Sequence, residues 1–360
     1  MNLINATTQR AFEEYQPALA KVGNTPITPV QVNINGDSRT IYLKLEGHNP
    51  AGSSKDRTAR ALIEDMEARN RISNSTIVLE STSGNLGVAL SFVCHAKGYP
   101  FVAIVDPHTT EEALKNMRAL NTRIEMVSEP DHTGGYLKSR LARVQQLLQS
   151  SSRYVWLDQY SNPANPQIHY ATTGPEIYNR MNGKVEAVFI AVSTGGTLAG
   201  VARYFREVSP KTVIVAVDAV GSVIFGGEAR PRRLTGIGSA RVSNFIEKSH
   251  YDRVSMITDE NAFSFCRRLF EKTGLKIGGS SGAVLAACID HLTLRPEIKR
   301  AVCLCADRGE NYDSTIFNDE WLAEKQILLP QSWSAVDFLP SQSDTFAAPE
   351  KKAVASAGKL

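Results

Sequence analysis

The sequence predicts an α/β fold of two domains, in which parallel-type sheets are flanked by helices and a ligand site lies in the cleft between the domains. The 360 residues are enough for two domains or one large α/β unit. Apolar strand segments alternate with amphipathic helical segments along most of the chain. The strand segments are almost continuously apolar, as in parallel sheets covered on both faces. Clefts between such domains commonly bind small molecules.

Composition excludes several classes of partner. A net charge of +3 with 21% charged residues gives no basic surface suited to nucleic acid or to an anionic membrane. Residues 1–14 are too polar for a secretory signal, and no apolar run reaches the ~20 residues of a membrane span. The five cysteines show no CxxC spacing that would indicate a metal site. We therefore expect a cytoplasmic protein that binds small molecules and no metal.

The element pattern starts with a helix at 7–21, a turn at 23–26 and a strand at 27–34, followed by a second strand at 41–46. Beyond the second strand, the predicted helices are 57–69, 86–97, about 110–119, 134–149, 197–208, 260–272 and 281–292, and the predicted strands are 76–80, 101–105, 123–127, 185–192, 213–217 and 301–305. The tail, 331–360, is rich in Ser, Pro, Ala and Lys and is predicted to be disordered.

A lysine at a helix start is the first candidate for chemistry. Lys55 follows small residues and a serine pair and opens the amphipathic helix. The positive end of the helix dipole disfavours an ammonium group there, which helps a lysine that must react as a neutral amine. A solvated lysine in a first helical turn is the ordinary alternative.

Two hydroxyl-rich and glycine-rich turns follow predicted strands and open helices. The first, 81–87, offers hydroxyl groups and free amides to a carboxylate, although it could also be only a well-capped helix. The second, 193–197, resembles a phosphate cradle but lacks both the P-loop ending and the G-x-G-x-x-G order, so a phosphate monoester fits better than a nucleotide. A further turn, 278–283, is by itself a tight helix cap. A reactive lysine, a phosphate cradle and a carboxylate loop together are what pyridoxal 5′-phosphate (PLP) chemistry requires.

From 22 to 309 the chain resembles the fold-type II PLP enzymes, the family of cysteine synthase and cystathionine β-synthase. The resemblance implies a homodimer whose large PLP-binding domain is 1–47 plus 161–330 and whose small substrate-gripping domain is 48–160. It implies these site residues: Lys55 attached to the cofactor; Asn85 at the ring hydroxyl; Ser81, Thr82, Ser83 and Gly84, with Gln159, at the substrate carboxylate; Ser193, Thr194, Gly195, Gly196 and Thr197 at the cofactor phosphate; and Ser280 at the pyridine nitrogen.

Several positions depart from the commoner cysteine synthase pattern, namely Leu86, Tyr160 and Ser193. The segments 80–87, 134–137, 217–226 and 236–242 are instead similar to the subgroup of siderophore-type N-(2-amino-2-carboxyethyl)-L-glutamate synthases. That resemblance implies O-phospho-L-serine and L-glutamate as substrates, with a product that serves 2,3-diaminopropionate and then siderophore or antibiotic biosynthesis.

A leaving phosphate needs a cation and hydroxyl donors besides the cofactor loop. We expect Arg140, with Tyr160 and Ser193, to provide this site, although an arginine on helix 134–149 could simply be solvated. Arg241 is the candidate for the acceptor carboxylates. Arg232 and Arg233 compete for that role.

Other functions remain open. Cysteine synthase acting on O-phosphoserine or O-acetylserine shares every cofactor residue, and a serine or threonine dehydratase would need no acceptor. A catalytically silent PLP-fold subunit is a third alternative, against which Lys55 and Asn85 argue. A dinucleotide-dependent dehydrogenase is disfavoured because the first βα turn carries no G-x-G-x-x-G.

Overall fold

The computed structural model describes residues 15–82, 84–131, 135–330 and 336–339. Its strands, in chain order, are β1 (Ile27–Ile34), β2 (Asp37–Leu45), β3 (Ile77–Ser81), β4 (Phe101–Val105), β5 (Arg123–Met126), β6 (Tyr154–Trp156), β7 (Ala187–Ala191), β8 (Val213–Ala219), β9 (Arg253–Ile257), β10 (Ala301–Cys305) and β11 (Val336–Phe338). Its helices are α1 (15–19), α2 (Lys55–Ala68), α3 (Asn85–Lys97), α4 (Glu111–Ala119), α5 (Leu137–Ser150), α6 (Ala164–Ile168), α7 (Gly174–Arg180), α8 (Gly196–Val208), α9 (Asp259–Thr273), α10 (Gly279–Leu294) and α11 (Asp319–Glu324).

The larger sheet has seven strands in the order β11-β1-β2-β10-β7-β8-β9. Strand β1 runs antiparallel to both of its neighbours, and the remaining pairs are parallel. Successive side chains of a strand point to opposite faces. Accordingly Phe189 joins one hydrophobic cluster, while Val188 and Ile190 join another on the opposite face. Both faces of this sheet are therefore buried.

The smaller sheet is fully parallel, with the order β5-β4-β3-β6. Its central strand β3 shows the same alternation, since Val78 and Leu79 belong to separate clusters. Two helix-flanked sheets confirm the predicted fold class. Parallel strands present their carboxyl ends at one edge, so the turns after β3, β4 and β6 are neighbours there.

The structure adds elements that the pattern did not predict. No element is predicted for strands β6 and β9 or for the helical stretch from 164 to 180. In the predicted disordered tail, β11 instead pairs with β1, with Val32 opposite Phe338, because Val336 and Phe338 bury their side chains against the large sheet. Residues 331–335 and 340–360 of that tail lie outside the described residues. The domain boundaries stay a prediction.

No helix among the residues that the structure describes is long and apolar enough to cross a membrane.

Candidate active site

Lys55 is the first residue of α2, on a loop held from two sides. The Ser54 N–H donates to the Ala306 carbonyl oxygen (2.8 Å), which ties the loop to the end of β10. The buried carboxylate of Asp56 accepts the Ala51 N–H at 2.6 Å and the Ser53 N–H at 3.3 Å. Burial raises the pKa of Asp56 to about 7. The main-chain position of Lys55 is therefore fixed both within its own loop and by the residue that follows β10.

The amine of Lys55 is set up to lose its proton more easily than a surface lysine. Its pKa is lowered, chiefly by burial, while the carboxylates of Asp307 and Glu46 oppose this shift. Burial disfavours the charged ammonium form. A desolvated lysine of this kind is suited to act as a nucleophile or a base. The lowered pKa of Lys55 was expected from the helix dipole, whereas burial is its main cause.

Asp307, which the sequence reasoning did not single out, connects the two halves of the site. Its Oδ2 accepts hydrogen bonds from Asn85 Nδ2 and from the Tyr312 hydroxyl, both at 2.7 Å. Its Oδ1 is buried and has no hydrogen-bond partner. The bond to Asn85, at the start of α3, crosses from the small sheet's helices to the end of β10. The available signal was a single acidic residue two positions after the apolar strand 301–305.

The predicted carboxylate loop follows β3 and is braced by Gln159. Gln159 Nε2 donates to the Ser81 carbonyl oxygen at 2.9 Å. Thr82 Oγ1 accepts the Gly87 N–H at 2.9 Å, and Ser81 Oγ is buried without a hydrogen-bond partner. Gly84 caps α3 in an extended conformation, and Ser83 lies outside the described residues. An unpartnered buried hydroxyl here leaves a donor for a ligand.

The glycine turn between β7 and α8 brings the backbone unusually close to its neighbours. Gly195 has φ +89°, and a Cβ there would lie 2.3 Å from Ser243 Oγ. A Cβ at Gly196 would lie 2.2 Å from Asn165 Oδ1. Only glycine fits both positions. Asn165 Nδ2 also donates to Thr194 Oγ1 (3.3 Å) and to the carbonyl oxygen of Gln159 (2.8 Å), so this turn is tied to the Gln159 segment.

Thr197 and Ser280 are two further residues that were predicted to contact the cofactor. Thr197 Oγ1 lies 3.2 Å from Nε2 of His169, a fully buried side chain whose pKa is lowered to about 3, chiefly by burial. This imidazole is therefore neutral. His169 sits on a π-helical turn, His169–Thr173, and no motif indicated it. Ser280 is buried at the start of α10, with its Oγ 3.9 Å from the position of a Cβ at Gly236.

Arg140 is buried rather than solvated, contrary to the alternative considered for it. Only 6% of the residue is exposed, and its Nε lies 3.2 Å from Asp106 Oδ2. Its Nε and Nη1 atoms are buried without a hydrogen-bond partner. The positive charge of Arg140 acts on the phenol of Tyr160, and the guanidinium of Arg241 lies 4.8 Å from the centre of the same ring. Two cations thus flank one tyrosine.

Ser193, which was predicted to donate to the leaving phosphate with Arg140 and Tyr160, already has a hydrogen-bond partner. Its Oγ donates to the Gly238 carbonyl oxygen at 3.2 Å, so its proton is already used. Of the two competing arginines, Arg232 has a buried Nε without a hydrogen-bond partner, and Arg233 is exposed.

These residues fit PLP. The glycine turn opens α8, where backbone N–H groups at a helix start suit a phosphate, and Lys55 can be neutral for attachment to an aldehyde. The buried unpartnered atoms of Ser81, Asp307 and Arg140 provide hydrogen-bonding groups that a ligand bound beside them would satisfy.

Comparison with known proteins agrees with this chemistry. Residues 19–307 match the family described as "Pyridoxal-phosphate dependent enzyme". The chain is 43% identical over 303 residues to an N-(2-amino-2-carboxyethyl)-L-glutamate synthase of Ralstonia nicotianae, covering 84% of this chain and 89% of the relative. A relative of the same name from Cupriavidus metallidurans is 40% identical over 308 residues, covering 85% and 90%.

Among solved structures, a hydrogen sulfide-producing enzyme from Fusobacterium nucleatum superposes with a TM-score of 0.77 at 30% identity, covering 82% of this chain and 98% of that one. The family match spans more than half of the chain, and both relatives exceed 30% identity over most of it. The chain therefore belongs to the pyridoxal-phosphate dependent enzymes, and PLP is its cofactor.

Proposed function

We propose that the protein replaces the phosphate of O-phospho-L-serine with the amino group of L-glutamate. The Cβ–O bond of the donor breaks and inorganic phosphate leaves. A bond forms between Cβ and the glutamate nitrogen, which loses a proton. The product is N-(2-amino-2-carboxyethyl)-L-glutamate, a precursor suited to 2,3-diaminopropionate in siderophore or antibiotic biosynthesis. Support comes from the name of both curated relatives.

The choice of O-phospho-L-serine as a substrate rests on the buried guanidinium of Arg140, which has N–H groups left to donate. Arginine pairs well with phosphate oxygens, because its planar N–H groups match their geometry. Tyr160 adds a hydroxyl group beside it. We assign the leaving phosphate to Arg140 and Tyr160, and the acceptor carboxylates to Arg241.

PLP, when bound, supplies the electron sink that makes the α-proton of the donor acidic. Lys55 is the base that we assign to this proton, because its burial favours the neutral amine. The loop 81–84, braced by Gln159, is proposed to hold the donor's α-carboxylate. The turn 193–197 and Ser280 are proposed to hold the cofactor, with Asn85 turning from Asp307 to the ring hydroxyl.

Mass spectrometry of the products tests this function. Purified protein with O-phosphoserine and glutamate should give one condensation product and one phosphate per turnover. Sulfide offered in place of glutamate distinguishes cysteine synthase, and omission of any acceptor distinguishes a dehydratase, which would release pyruvate. A preference for O-acetylserine over O-phosphoserine would contradict the assigned donor.

Arg140→Ala tests the phosphate site. We expect kcat/KM for O-phosphoserine to fall about 10- to 100-fold, because a charge-assisted hydrogen bond contributes about 1.5–3 kcal/mol. Absorbance of the bound cofactor should not change. The matched control is Arg143→Ala on the same helix, which removes an arginine that pairs with Glu125 at 2.6 Å instead. Equal rates in both variants would remove Arg140 from the site.

A further inference from the structure

Glu80 is a fully buried acid at the end of β3, directly before the carboxylate loop. Its Oε1 accepts the Ser81 N–H at 2.9 Å and the indole N–H of Trp156 at 3.2 Å. Its Oε2 accepts the Gln159 N–H at 3.2 Å. One side chain thus joins the end of β3, strand β6 and the turn that carries Tyr160.

The surroundings of Glu80 offer no positive charge at contact distance. In the described part of the chain no lysine, arginine or histidine forms an ion pair with it, and its neighbour on β4 is Ala103. The carboxylate of Asp158 acts on it as a repulsive charge. A buried carboxylate without a cation is costly, so such a group keeps its proton.

The direction of its pKa agrees with this geometry. Burial raises the pKa of Glu80 to about 8, and Asp158 adds to the shift, while the three N–H donors oppose it. Burial raises the pKa of the Tyr160 phenol, Glu80 and Asp158 add to the shift, and Arg140 and Arg241 oppose it, so Glu80 acts on the same phenol as the two arginines.

We propose that Glu80 is a positioning residue that locks the carboxylate loop to the Tyr160 turn, and that it must carry its proton for an anion to bind beside Tyr160. The second half of this inference rests on the proposed function, because it concerns the same phosphate site. The reason is electrostatic. An ionised Glu80 would offset the charge of Arg140 and repel a phosphate or carboxylate brought beside Tyr160.

Trp156 allows the protonation step to be observed without turnover. Its indole N–H contacts the Glu80 carboxyl group, so ionisation of that group should change the indole fluorescence. We expect the intrinsic fluorescence of the wild-type protein to titrate near pH 8. Glu80→Gln, which keeps an acceptor oxygen but cannot ionise, should abolish the transition. Trp156→Phe should remove the signal, and Asp158→Asn should only move its midpoint to lower pH.

Sulfate, which stays a dianion between pH 6 and pH 9, tests the anion half of the proposal. Calorimetric titration of the PLP-loaded wild-type protein with sodium sulfate should give a Kd that rises about tenfold from pH 7 to pH 9, the ratio expected when only the protonated form of a group with this pKa binds. The Kd of Glu80→Gln should stay constant over this range.

The outcomes separate the two proposals. Sulfate that binds equally at both pH values, or a fluorescence transition that persists in Glu80→Gln, overturns the inference about Glu80. Two results overturn the phosphate site and the anion half of this inference. Either sulfate binds at no pH, or Arg140→Ala binds sulfate as tightly as the wild type does. The wild-type titration judges the protonation of Glu80 even if Glu80→Gln does not fold.

Discussion

Among the individual residues, Lys55 and Asp307 matter most for the chemistry of the site. Burial pushes the lysine towards the neutral amine, and the buried aspartate counteracts this. Asp307 is also held by Tyr312 and Asn85, so its charge cannot move away. The proton affinity of the reactive amine is therefore lowered by burial and partly restored by an acid just after β10, which the chain brings to the lysine through the contact of residues 53 and 307.

Asp307→Asn should move the midpoint of Lys55 deprotonation to lower pH. The variant removes the negative charge that favours the ammonium form, while an amide can still pair with Asn85 and Tyr312. The pH dependence of Lys55 modification by an amine-reactive reagent, followed by peptide mass spectrometry, measures this without cofactor. Asp313→Asn is the matched control, since Asp313 pairs with Lys276 near the surface. An unmoved or raised midpoint would contradict the assigned role of Asp307.

The sequence indicated Lys55 and the two loops because small residues at strand-to-helix turns form recognisable patterns, and it indicated Asn85 through the family resemblance. It did not indicate Asp307, Glu80 or Asp106. Each of these is a single acidic residue in or just after an apolar strand, and only the packing of neighbouring strands shows what it contacts. The burial of Arg140 is evident only in the folded structure, because the helical pattern alone cannot distinguish a buried arginine from a solvated one.

At the scale of elements, the turn between β7 and α8 depends on glycine for two separate reasons. The positive φ of Gly195 strains any other residue, and the neighbouring Ser243 and Ile246 leave no room for a Cβ. Gly226 has almost the same φ, +88° against +89°, but no atom lies within 4 Å of its Cβ position. The two positions therefore separate backbone strain from crowding.

Gly226→Ala should lower the free energy of unfolding by about 1 kcal/mol, the cost of placing a side chain at positive φ. Gly195→Ala should cost more than this, because the contact with Ser243 also has to be relieved, and it should weaken PLP binding. Urea unfolding measures the first effect, and spectroscopic titration of the apoprotein with PLP measures the second. Equal losses of stability with unchanged PLP affinity would contradict a crowded cradle.

Elements were predictable where one residue pattern continued long enough. The strands 27–34 and 101–105 agree with the structure, and most helix ends agree within a few residues. Strand β6 has only three half-buried residues, and β9 is an edge strand with mostly exposed side chains, so neither shows an apolar run. The helical stretch from 164 to 180 contains Pro, Asn, Thr and Gly, which lower the helix signal, and its formation depends on packing against α8.

For the whole molecule, a buried ion network joins distant parts of the chain. Arg57 donates to both oxygens of Glu46, at 2.7 and 2.8 Å, and to both oxygens of Glu176, at 2.6 and 2.7 Å. Lys44 adds a 2.6 Å contact to Glu176, and Thr25 donates to Glu46. These residues lie on β2 and the turn directly after it, on α2 and α7, and in the turn before β1. The two positive and two negative charges balance, which makes burial of the set tolerable.

This network should make the fold sensitive to acid. The cationic partners hold the pKa of Glu46 at about 2, below its ordinary value of 4.5, despite the opposing effect of burial. A depressed pKa stabilises the folded state above pH 4.5, and this contribution is lost as the pH falls through about 2. The raised pKa values of Glu80 and Asp56 act in the opposite direction, because their contribution is present below the unfolded pKa and is lost as the pH rises through about 7 to 8.

Glu46→Gln should therefore lower the free energy of unfolding at pH 7 by about 3–5 kcal/mol, because it leaves Arg57 and Lys44 buried with one carboxylate between them. The variant should also lose less stability than the wild type between pH 5 and pH 3, since it has no carboxylate to protonate at this position. Urea unfolding at several pH values measures both effects. Glu64→Gln, which breaks an exposed pair with Arg60, should stay within about 0.5 kcal/mol of the wild type. An acid profile of Glu46→Gln parallel to that of the wild type would mean that other carboxylates control acid unfolding, because the protonation of Glu46 would then cost the folded protein nothing.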